Sequence, residues 1–146
     1  MENGHTGRIT ANMVLNAIRR LEQQGLVDRN LRGYYEFRQD DPRFIETLIQ
    51  AFLDEVASTF HSMFMTLNAD VVNFRGLSDL CIKVKGVVDC FGATRMRRAC
   101  TNLFHASENA SKPTCVQAFI RLVSEFVVLR SRLEFVLSLE RALLAG

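Results

Sequence analysis

Between Thr10 and Leu144 the apolar residues return at steps of three and four, and no segment sustains an alternation of apolar and polar residues. That period fits the turn of an α-helix and not the two-residue repeat of a strand, so the chain can bury its apolar side chains only as packed helices. The pattern breaks at Gly25, at Asp41 and Pro42, across Asn68 to Val72, at Gly92 and across Ser111 to Pro113. These residue types cap or stop helices. The breaks predict a helix from Thr10 to Gln24, a short one from an Asp28 cap to about Phe37, and a long one from Pro42 to Leu67 with Ile45, Leu48, Ile49, Phe52, Val56, Phe60, Met63 and Leu67 inward. A fourth ends at Gly92, a fifth covers Thr94 to Asn109, and the last runs from Thr114 to Leu144. Val128, Phe135 and Leu139 lie off the last helix's stripe, which implies a second contact surface for the N-terminal helices. Short connections make neighbouring long helices antiparallel. The expected fold is all-α: an antiparallel four-helix bundle with two additional N-terminal helices.

A length of 146 residues suits one domain, 1–146, large enough to bury a core without staples. The first eight residues include Gly4 and Gly7 and show no pattern, so a disordered end is expected over 1–8. No apolar run approaches the roughly 20 residues of a membrane span, and the N-terminal stretch has no signal-peptide core, so a soluble intracellular protein without membrane contact is expected. A net charge of +2 is too small to imply nucleic acid. Cys81, Cys90, Cys100 and Cys115 form no CxxC pair and read as free thiols packed as small hydrophobes; no metal or other cofactor is expected.

The stretch from Leu77 to Ala93, LSDLCIKVKGVVDCFGA, departs from the rest. Leu77, Leu80, Cys81, Val84, Val88 and Phe91 make its inward face, while Ile82 falls nearly opposite Val84, beside Ser78, Lys85, Gly86 and Asp89. Ile82 is thus a large apolar residue on a polar face. Gly86 costs helix stability, about 1 kcal/mol relative to alanine, and removes a side chain next to Ile82. Close approach by another molecule would explain it.

The frame Ile82-Lys83-Val84-Lys85-Gly86, followed by Phe91-Gly92-Ala93, resembles the active helix of the plant histidine-containing phosphotransfer proteins, which carries His-Gln-hydrophobic-Lys-Gly and then a hydrophobic residue with Gly-Ala. The resemblance extends through Gly25 to Asp28, Asp40 to Phe44, Arg95 to Cys100 and Leu137 to Glu140. It places Ile82 at the phosphorylatable histidine, Lys83 at the usual glutamine, and Val87 and Val88 where serines are favoured. In that family an imidazole nitrogen takes a phosphoryl group from a receiver aspartate, a lysine one turn away helps neutralise its charge, and the glycine leaves room for the partner. Isoleucine has no lone pair to attack phosphorus.

The resemblance therefore implies a non-catalytic, pseudo-phosphotransfer protein that binds receiver domains of hybrid sensor histidine kinases and response regulators. It would act as a monomer and a negative modulator of a multistep phosphorelay, in cytokinin signalling, in cytosol and nucleus. Partner-binding residues would be Ser78, Ile82, Lys83, Lys85, Gly86 and Asp89, with Arg95, Arg97 and Arg98 steering an acidic receiver. Two other readings stand beside it. His61 or His105 is a non-standard phosphoacceptor in one, His5 falling in the expected disordered end; in the other the chain is a helical scaffold that meets a different partner through the off-stripe residues of its last helix.

Overall fold

A computed structural model describes residues 8–146. Of the expected disordered end, residues 1–7 lie outside the described residues. Six α-helices account for most of the remainder: α1 (Ala11–Gln23), α2 (Asn30–Tyr35), α3 (Phe44–Leu67), α4 (Phe74–Phe91), α5 (Thr94–Glu108) and α6 (Lys112–Ala145), with a 3₁₀ turn at Glu36–Gln39 after α2. No strand occurs among the described residues.

The helix ends follow from local chemistry. Thr10 caps α1, its side chain accepting from Met13 N at 3.3 Å. Asn73 caps α4 in the same way, accepting from Gly76 N at 2.9 Å. At the other end of α4, Gly92 turns the chain with φ +86°, and the amides of Gly92 and Ala93 both donate to Val88 O. Any Cβ at position 92 would collide with the carboxylate of Asp28, so this end of α4 is moulded on the loop after α1. Three boundaries differ from expectation. The last helix begins at Lys112, not at Thr114, because Pro113 is accommodated in its first turn, where no intrahelical N–H is needed. The long helix begins at Phe44, not at Pro42, because Asp41 uses its carboxylate on Arg43 N and its carbonyl on Phe44 N, closing a turn first. The second helix stops at Tyr35 and tightens into the 3₁₀ turn before Phe37.

Helices α3 to α6 form the four-helix bundle, each packed on its neighbours in chain order and α6 closing back on α3. Cross-contacts show the antiparallel sense: Phe52 stacks on Phe91 while Glu55 pairs with Lys83; Ser78 meets Ser107 while Asp89 meets Arg97; Phe60 packs on Phe126 while Glu46 bonds Arg141. The inward stripe of α3 holds as expected, with Leu48 only partly covered and Leu53 and Thr59 added. Completely buried Ile49, Leu77, Val84, Leu103, Leu122 and Leu133 lie in one continuous apolar cluster that also takes in Val14, Ile18 and Leu31 from α1 and α2.

Of the N-terminal helices, α1 packs on α6, while α2 packs on α1, α3 and α4. Near the end of α6, Glu140 is completely buried and reaches the last residue of α2 through Tyr35 Oη at 3.4 Å and the 3₁₀ turn through Arg38 Nε at 3.5 Å. Burial, with the adjacent Glu140 charge, pushes the Tyr35 phenol up to about 12. Of the three off-stripe residues of the last helix, Val128 and Leu139 pack against the core, but Phe135 remains exposed. Three cysteines, Cys81, Cys100 and Cys115, are buried and Cys90 is exposed, all as free thiols. No helix among the described residues is long and apolar enough to cross a membrane.

Candidate functional site

Helix α4 turns Leu77, Cys81, Val84, Val88 and Phe91 into the core, and this fixes what faces outward. Ile82 stands 59% exposed on that outer side, where an apolar side chain of its size gains little from folding. One turn on, Gly86 is open: a Cβ placed there would meet nothing within 4 Å. The glycine is not required by any neighbour in the fold. It leaves a bare stretch of helix backbone beside an exposed isoleucine.

On the α3 side of this strip runs an apolar groove of about 680 Å³, floored by Phe52, Val87 and Phe91 and edged by Leu48, Gly86 and Cys90. Lys83 reaches across its rim to Glu55, Nζ to Oε2 3.6 Å. Tyr34 closes one end by donating its hydroxyl to Cys90 O at 2.7 Å. On the α5 side Ile82 borders a smaller hollow, of about 490 Å³, with Arg75, Asp79, Phe104 and Glu108.

The structure brings Ile82, Lys83, Lys85, Gly86 and Asp89 together on the accessible side of α4, and it corrects the place of Ser78. That serine is only 5% exposed, because α5 packs over its edge of α4. Its Oγ lies 2.6 Å from Ser107 Oγ and 3.1 Å from Glu108 Oε2, so it joins two helices and is not available to a partner. Lys85 and Asp89 are bound to each other, Nζ to Oδ2 2.9 Å, and Arg97 donates to the other oxygen of Asp89 at 2.7 Å. Arg97 also approaches Asp28 at 3.6 Å. Partial burial would raise the Asp89 pKa, but the hydrogen bonds from Lys85 and Arg97 outweigh it and hold the carboxyl below the usual aspartate range. The positive charge of Lys85 is thus shared with a carboxylate. Arg95 and Arg98 face the other way, toward α6.

Asp79, Phe104 and Glu108 around Ile82, and Tyr34, Leu48 and Val87 around the groove, were not among the expected site residues. Asp79 stands three residues before Ile82 and was readable from helical spacing. Val87 is on α4 itself, next to Gly86, whereas Tyr34, Leu48, Phe104 and Glu108 come from other helices and needed the packing. Both described histidines, His61 on α3 and His105 on α5, are exposed, and neither is on α4. His5 lies outside the described residues. Among the described residues no three His, Cys, Asp or Glu side chains are grouped to hold a metal ion.

No protein-family model matches the chain. It is 20% identical over 124 residues to histidine-containing phosphotransfer protein 1 of Arabidopsis thaliana, covering 84% of this chain and 80% of that protein. It is 25% identical over 125 residues to histidine-containing phosphotransfer protein 2 of Oryza sativa subsp. japonica, covering 84% and 83%. Among solved structures, a rice protein assigned as a histidine-containing phosphotransfer protein superposes with a TM-score of 0.85 at 22% identity, covering 90% of this chain and 94% of that one. The maize histidine-containing phosphotransfer protein ZmHP2 superposes with a TM-score of 0.82 at 20% identity, covering 89% and 96%. The chain is related in sequence to plant histidine-containing phosphotransfer proteins and has their fold.

Proposed function

We propose that this chain is a pseudo-phosphotransfer protein, which occupies receiver domains of hybrid sensor histidine kinases and response regulators without accepting a phosphoryl group. By holding those domains it competes with active phosphotransfer proteins and lowers flux through a multistep phosphorelay, in cytokinin signalling, as a monomer in cytosol and nucleus. The observation that carries the proposal is Ile82: a 59% exposed isoleucine on the outer face of α4, at the histidine position of the resembling motif, one turn from an open Gly86.

The physical case rests on what such a face retains and what it lacks. An exposed apolar residue with a polar rim is a binding anchor when a partner covers it. Gly86 admits close approach, and the groove next to it offers apolar area for contact. Moving phosphorus from a receiver aspartate requires breaking its acyl phosphate P–O bond while a nucleophile's lone pair makes a new bond. Ile82 has no such pair, and α4 carries no histidine.

The test is transfer of labelled phosphate from an autophosphorylated hybrid kinase through its receiver to the unmodified protein and to Ile82→His. The expected result is an unlabelled parent and a labelled variant, with Gly86→Gln weakening receiver binding at least tenfold in the parent. A labelled parent would return the phosphate to His61 or His105. Absence of measurable affinity for every cognate receiver would sink the proposal.

A further inference from the structure

A second concavity of the bundle is polar where the groove beside Gly86 is apolar. On α5, Arg95, Arg98 and Asn102 follow one another at steps of three and four and share the side that faces α6. Arg121 and Glu125 face them from α6, and these five side chains, together with Ala99 of α5, line a groove of about 330 Å³. Glu125 is its floor, with the side chain 11% exposed. Arg95 donates to that carboxylate from Nη2 to Oε2 at 3.2 Å and brings Nε to 2.8 Å from Oε1 as an ion pair, although the buried Oε1 has no hydrogen-bond partner among the described residues; Arg121 Nε stands 3.6 Å from Oε2. Arg98 has no carboxylate within ion-pair reach among the described residues.

Three guanidiniums and one carboxylate line the groove and leave it with an excess of positive charge. Each guanidinium has about five N–H donors in a planar fork, so a single carboxylate engages only part of the set. A nearly buried Glu125 also holds Arg95 in a fixed orientation before any ligand arrives, which reduces the ordering cost of binding. The donors match the oxygens of a phosphate, which accept forked hydrogen bonds from arginine. The volume is at the low end for ligand sites, about 300–1,000 Å³, and suits a small molecule.

We propose that the α5–α6 groove binds a small phosphate-bearing solute, with Arg98 and Arg95 as its main donors and Asn102 as a neutral one. This site is separate from the α4 face. Of the arginines near the start of α5, Arg97 is the one committed to α4, through Asp89.

The test is titration of the full chain with inorganic phosphate, pyrophosphate and O-phosphoserine, followed by amide chemical shifts at constant ionic strength with chloride as the balancing anion. Saturable shifts are expected, confined to residues 95–102 and 121–125. Arg98→Gln leaves both partners of Glu125 in place and should weaken binding at least tenfold, whereas Ile82→His should not alter it. Tighter binding of O-phosphoserine than of inorganic phosphate identifies an esterified phosphate as the recognised group, and the reverse order a free one. Shifts that fail to saturate, that chloride alone reproduces, or that persist in Arg98→Gln would overturn the assignment.

Discussion

The two flanks of α4 are built differently. Toward α5 the helix is fastened by polar contacts at both ends: Ser78 to Ser107 and Glu108 at one, Asp89 to Arg97 at the other. Toward α3 the floor is aromatic, Phe52 lying on Phe91 with ring centroids 4.0 Å apart and planes 16° off parallel, and above it the surface is open. Directional bonds fix the register of α4 against α5, while ring stacking supplies area without using up polar groups. A partner that approaches Ile82 therefore finds one flank whose donors are already engaged and one flank with apolar surface to cover. The proposed contact surface extends toward α3.

Phe91→Ala should have the largest effect, because it empties the floor of the open flank. Loss of a buried phenylalanine costs about 3–5 kcal/mol, read as a lower denaturation midpoint in urea at unchanged slope. If the fastened flank alone held α4, stability would hardly move. Ser78→Ala tests that flank directly. Ser107 keeps its bond to Phe104 O at 2.6 Å, so only part of the arrangement is lost, and a decrease of about 1 kcal/mol is expected by the same measurement. A drop as large as that of Phe91→Ala would reverse the ranking of the two flanks.

The smallest effect is a pH dependence. Asp89 has its folded pKa below the unfolded value, so its contribution is complete above the ordinary aspartate range and disappears as pH falls through the depressed folded pKa. Its side chain is 38% exposed, and solvent screening keeps the contribution small. Asp89→Asn should flatten the acid limb of a stability-against-pH curve and leave the neutral plateau slightly lower. An unchanged acid limb would mean that Lys85 and Arg97 do not stabilise the carboxylate.

Much of this architecture was legible from spacing. The steps of three and four gave all six helices, and Gly92 and Asn68 to Val72 marked the turns on either side of α4. Asp41 and Pro42 misled by two residues, since both a helix cap and an isolated turn use an aspartate before a proline, and the hydrogen bonds of Arg43 and Phe44 decide between them. At the site, the exposure of Ile82 followed from periodicity alone. The pairing of Lys85 with Asp89 was also available, being an i, i+4 contact of opposite charges. Ser78 was misplaced because a helical wheel gives an angle and not the neighbour that covers it: α5 overlies that edge. The groove and the arginine cluster depend on which helices are adjacent, information that the period of one helix does not contain.

The distribution of the four thiols gives the molecule a chemical gauge of its own opening. Burial pushes Cys81 and Cys100 up to about 12 and raises Cys115, whereas Cys90 lies in the open beside the groove. Thiolate is the reactive form, so an alkylating reagent near neutral pH finds a single ready target in the folded chain. The other three, carried by α4, α5 and α6, become reactive only when the bundle parts. Mass added per chain, one adduct against four, then counts folded and opened molecules in the same sample, and a partner seated on the α3 flank would register as protection of Cys90 alone.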